Sequence, residues 1–91
     1  MTEVEVKRRP IVGVMGGGSA TPETIAMARE LGERIAAKGW ILLNGGRNAG
    51  VMAASAQGAA EAGGLTIGIL PDDDAAGAAP QIHIPIPTGM G

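Results

Sequence analysis

The stretch Trp40-Ile41-Leu42-Leu43-Asn44-Gly45-Gly46-Arg47-Asn48-Ala49-Gly50-Val51-Met52 decides the fold. Trp40 to Leu43 are bulky and apolar, the short unbroken run that a fully buried strand makes. Paired glycines, a lone arginine and an asparagine follow, and then an alanine-rich run from Gly50 to Ala62 that reads as a helix. A buried strand that turns through glycine into a helix is part of a β-α-β unit. The first helical N–H groups have no internal partner and carry the positive end of the dipole, so such a turn favours an anion.

The same pattern extends in both directions. Upstream, Ile11-Val12-Gly13-Val14-Met15 is an apolar run ended by Gly16-Gly17-Gly18. Thr21 is an N-cap, Pro22 suits the first helical position, and Glu23 complements the helix start. Ile25, Ala28, Leu31 and Ile35 recur at helical spacing, Glu30, Glu33, Arg34 and Lys38 fall on the other side, and Gly39 is the stop. Downstream, Gly58 weakens the second helix by about 1 kcal/mol relative to alanine. Gly63-Gly64 ends that helix and Leu65 to Leu70 form a third strand. Pro71-Asp72-Asp73-Asp74 opens an Ala/Gly-rich loop, and Ile82 to Pro87 alternate and carry prolines, as an edge or terminal strand does. Thr88-Gly89-Met90-Gly91 is a further glycine turn.

Strand, helix, strand, helix, strand predicts parallel pairing through right-handed crossovers, with both helices on one sheet face. The strands are nearly continuously apolar, the mark of a sheet buried on both faces. The second face is therefore expected to be covered by something outside residues 1–91, a C-terminal half or another subunit.

The totals narrow the function. The chain has 91 residues, a formal net charge of −2, no cysteine, and one aromatic residue, Trp40. That is one small domain, read as a tail over 1–9 and a domain over 10–91. The charge balance argues against nucleic-acid and anionic-membrane partners, and one tryptophan makes no base-stacking platform. Without cysteine there is no disulfide framework or thiolate metal site. No apolar run reaches the roughly 18 residues of a membrane span, and the start lacks the apolar core of a signal peptide, so a cytoplasmic protein is expected.

In a parallel sheet the three glycine turns converge on the carboxyl edge, where open α/β folds bind ligands. The candidate phosphate-binding residues are Gly16, Gly17, Gly18, Ser19, Gly45, Gly46, Arg47, Asn48, Thr88 and Gly89. Arg47 offers a charge-assisted contact, and Ser19 and Asn48 neutral ones. The alternative is that these glycines only make turns, since neither G-x-G-x-x-G nor a G-x-x-x-x-G-K-[ST] loop is present. His83 is read as a surface or satisfied core residue, Asp72-Asp73-Asp74 as solvated charge, Met15 and Met52 as core filler, and Glu23 as serving the dipole. No nucleophile–base–orienter set and no metal site is identified, so no catalytic residue is assigned.

The strings IVGVMGGGSA, LGERIAAKGWILLNGGRNAGVM, GGLTIGILP and PIPTGMG together resemble the N-terminal half of the LONELY GUY (LOG)-like, or lysine decarboxylase-like, Rossmann family, closest to its molybdenum cofactor carrier members. The resemblance implies a doubly wound parallel sheet that stops after its fourth strand here, a homo-oligomer, and a small phosphorylated ligand: molybdenum cofactor or a nucleoside monophosphate. Gly16 to Ser19 match the family's first phosphate-side loop, Gly45 to Arg47 its second, and Thr88 and Gly89 the segment before its next helix. LOG-type enzymes release a base from nucleoside 5′-monophosphates through a P-G-G-x-G-T-x-x-E motif. In this family that motif lies beyond the position of Gly91, so the resemblance implies binding, with a phosphoribohydrolase as the alternative for a longer form.

Overall fold

The computed structural model describes residues 9–90; residues 1–8, most of the expected tail, and Gly91 lie outside the described residues. The elements are β1 (Ile11–Gly13), α1 (Pro22–Ala37), β2 (Ile41–Asn44), α2 (Gly50–Glu61), β3 (Thr66–Leu70) and β4 (Ile84–Pro87). The four strands form one parallel sheet in the order β1-β2-β3-β4. This is the expected α/β, Rossmann-like architecture.

Alternation along each strand sorts side chains onto two faces. Leu42 and Asn44 on β2, in register with Thr66 and Gly68 on β3, face the helices and are buried. Both helices cover this face, joining Ala28 and Ile35 of α1 and Val51, Ala54 and Ala59 of α2 into one core cluster with Leu42. The connection from β3 to β4 has no helix, yet Ala79 and Ile82 from it enter the same cluster. The amide of Ala79 donates to the carbonyl of Gly46 at 2.8 Å, so this loop acts as a third crossover on the same face.

α1 and α2 pack through glycine. A Cβ on Gly32 would collide with the carbonyl of Ser55, and one on Gly58 with the carbonyl of Arg29. Gly58 is thus required by the helix–helix approach, which offsets its low helix propensity. The same approach corrects the expected inner face of α1. Leu31 is 44% exposed, and the buried positions are Ala28, Gly32 and Ile35. The closest contact needs a residue without a side chain, so Leu31 is rotated outward.

The opposite sheet face has no cover among the described residues. Ile41 and Leu43 of β2 are half-buried there, beside Ile67 of β3. Ile69, Ile84 and Ile86 are exposed by about two-fifths, and Ile11 on β1 by 57%. An all-aliphatic face left open is what the apolar strands predicted. No helix among the described residues is long and apolar enough to cross a membrane.

Candidate anion-binding edge

All strands being parallel, the loops after β1, β2, β3 and β4 leave from the same edge. Direct contacts link them. The amide of Val51, at the start of α2, donates to the carbonyl of Gly17 at 3.2 Å. Arg47 Nη2 donates to Asp72 Oδ1 at 3.1 Å, joining the second turn to the loop after β3. Gly89 donates its amide to the Asp72 carbonyl at 2.9 Å, and Thr88 donates to the Leu70 carbonyl through both amide and hydroxyl. The residues singled out in sequence therefore share one rim.

Asn44 holds the second turn in shape. Its buried amide donates to the Met52 carbonyl at 2.9 Å and to Ser55 Oγ at 3.1 Å, and its Oδ1 accepts from the amide of Gly46 at 2.7 Å. Ser55 Oγ in turn donates to the Val51 carbonyl at 2.8 Å. Every donor and acceptor of this network is used, so it fixes β2, the turn and α2 relative to one another. Sequence reading missed Asn44; the signal was an amide side chain ending an apolar strand directly before paired glycines.

The two helix starts differ. Thr21 caps α1, its hydroxyl accepting from the amide of Thr24 and its carbonyl from that of Ile25. The N-cap of α2 is Ala49, which has no side-chain cap. Its first turn is met only by main-chain carbonyls, Gly17 to Val51 and Ala49 to Ala53. The positive end of α2 is the more open of the two.

The glycines also divide. A Cβ on Gly16 would lie 2.6 Å from the Cβ of Val51, and Gly46 and Gly68 pack backbone to backbone. Gly50 has φ +54° and abuts Gly17 and Gly18. These positions are explained by packing. Gly17 and Gly18 are not: neither has positive φ, and the nearest atoms to an added Cβ are 3.5 and 3.7 Å away. Among the described residues the amides of Gly17, Gly18 and Ser19 have no protein acceptor, and all three residues are exposed.

The remaining candidates separate cleanly. Asn48 is exposed on the rim, and Glu23 lies in the first turn of α1. His83 is exposed, and its Nδ1 lies 2.9 Å from the Thr66 hydroxyl and accepts from the Thr66 amide. Asp73 and Asp74 are exposed, and no metal-holding group of His, Cys, Asp or Glu occurs among the described residues. Met52 is half-buried against Gly45. Met15 is not core filler. It is 76% exposed, two residues past the end of β1.

The model of the SLOG cluster4 family matches residues 9–91. A protein of Archaeoglobus fulgidus is 52% identical over 60 residues, which are 66% of this chain and 39% of that one. Among solved structures, the molybdenum cofactor binding protein of Rippkaea orientalis superimposes with TM-score 0.90 at 49% identity, over 94% of this chain and 53% of that chain. A Moco carrier protein of Chlamydomonas reinhardtii superimposes with TM-score 0.82 at 50% identity, over 92% of this chain and 52% of that one. The chain thus spans about half the length of the solved structures it matches.

Proposed function

The chain belongs to the SLOG cluster4 family, and from that premise we propose that its carboxyl sheet edge holds a phosphate-bearing small molecule, with molybdenum cofactor as the first candidate and nucleoside 5′-monophosphates as the second. One observation carries the reading. Gly17 and Gly18 need glycine neither for φ nor for packing, and their free amides stand beside the helix start that no side chain caps. Glycine there leaves room for a ligand to approach the backbone. The names of the solved relatives support the choice of cofactor.

In this reading Gly17, Gly18 and Ser19 donate to phosphate oxygens, and the α2 dipole adds its partial positive charge. Arg47 supplies a full positive charge at the rim and Asn48 a neutral donor. Thr88 and Gly89 close the rim on the β4 side, Gly16 and Gly46 shape it through their packing, and Gly45 lies in the second turn between Asn44 and Gly46. Calorimetric titration with molybdopterin-type ligands and with nucleoside 5′-monophosphates tests this. Saturable binding that a Gly17→Val substitution removes is expected, and a folded protein silent across the panel contradicts it. Release of free base in the nucleotide arm would favour the phosphoribohydrolase reading instead.

A further inference from the structure

We propose that Asn44-Gly45 is a latent deamidation site. The fold keeps it shut, and its conversion to aspartate or isoaspartate dismantles the second turn. The loss of the anion-binding edge that would follow rests on the binding reading above, whereas the chemistry at Asn44 does not.

Glycine after asparagine gives this reaction its least hindered form, because the attacking nitrogen belongs to a residue without a Cβ. The Gly45 nitrogen attacks Asn44 Cγ and a new N–C bond forms. The side-chain nitrogen leaves as ammonia, taking up the Gly45 proton. Solvent water then opens the five-membered imide at either carbonyl. One opening gives aspartate. The other routes the main chain through the former side chain as isoaspartate, one atom longer.

Three features oppose ring closure in the native fold. Asn44 is the last residue of β2, in register with Gly68 of β3. The ψ of a parallel strand, about +115°, swings the following nitrogen away from the residue's own side chain. The side-chain amide is tied at both ends, to the Met52 carbonyl and Ser55 Oγ through Nδ2 and to the Gly46 amide through Oδ1. Asn44 is also only 1% exposed, which keeps water from the imide. The reaction therefore requires Asn44 to leave both the β-ladder and α2, a local opening of the turn. The chain's other asparagine, Asn48, is exposed in the same turn but precedes Ala49. It has the access that Asn44 lacks and lacks the glycine that Asn44 has.

The opening does not reverse once the product forms. The Met52 carbonyl, which accepted from Nδ2, would meet a carboxylate oxygen with no proton to give. Isoaspartate inserts an extra main-chain atom between β2 and Gly46. Either product places a negative charge at the base of the rim, where it opposes an incoming anion.

The full chain, without ligand, is incubated at mildly alkaline pH in buffer and in guanidinium chloride, and conversion is followed by peptide mass. Trypsin cleaves after Lys38 and Arg47, so the two asparagines fall in different peptides. In denaturant Asn44 should convert well ahead of Asn48. In buffer its conversion should be slower by about tenfold or more. Ser55→Ala removes one tether and should speed conversion in buffer while leaving the denatured rate unchanged. Converted chains should lose hydrogen-exchange protection at the Gly46 amide. Equal Asn44 rates in the two solvents, faster conversion at Asn48, or unchanged Gly46 protection in converted chains would each overturn the proposal. None of these readouts involves the anion, so their failure leaves the binding reading standing, and the reverse also holds.

Discussion

Arg47 and Asp72 meet at the carboxyl edge through a single contact, Nη2 to Oδ1 at 3.1 Å, with their side chains 51% and 38% exposed. A pair this open contributes within about 1 kcal/mol to stability. Its effect is on the rim, where the carboxylate neutralises the cation that an incoming anion would meet. Asp72→Asn should leave urea denaturation almost unchanged and tighten binding of a nucleoside monophosphate by roughly threefold or more. Arg47→Ala should weaken it by about tenfold, both read by calorimetry.

Gly17→Ala and Gly18→Ala should be tolerated structurally, since an added Cβ meets only ordinary contacts. Thermal unfolding should shift little, within about 0.5 kcal/mol. Ligand affinity should fall, because the methyl group stands where the anion approaches the amides. A parallel loss of stability and affinity would show that these glycines serve the turn alone.

Gly58→Ala reverses the usual propensity rule. Alanine favours a helix by about 1 kcal/mol over glycine, yet here its Cβ would strike the carbonyl of Arg29. Overpacking of this kind costs about 1–3 kcal/mol, so net destabilisation is expected in urea melts. Gln57→Ala, one residue away and exposed, serves as the control.

Asn44→Leu should destabilise the domain by about 1–3 kcal/mol, because it strands the Gly46 amide in the core. It should also loosen the second turn, measured as faster amide exchange at Gly46 and Arg47.

The fold was legible because its signals are local. Apolar runs at Ile11 and Ile41, the Thr21-Pro22 cap and the Gly39 and Gly63 stops each mark a boundary within a few residues. What sequence could not reveal depends on pairs distant in the chain. Leu31 looks like a core residue until Gly32 meets Ser55, and Gly58 looks like a defect until Arg29 is placed beside it. The candidate rim shows the same limit. Gly16, Gly17 and Gly46 are indistinguishable as letters, and only the packing of Val51 and Gly68 separates those that build the turn from those left facing solvent. Asn44 was overlooked because its partners Met52 and Ser55 lie across the turn in α2.

The most direct test is amide-resolved nuclear magnetic resonance of the chain titrated with a nucleoside 5′-monophosphate and, separately, with inorganic phosphate. The account predicts saturable shifts at Gly17, Gly18, Ser19 and the first turn of α2, with little change at Glu23 and Thr24, where Thr21 already caps α1. Shifts concentrated at the α1 start, or none at the Gly17–Ser19 loop at saturating phosphate, would contradict it.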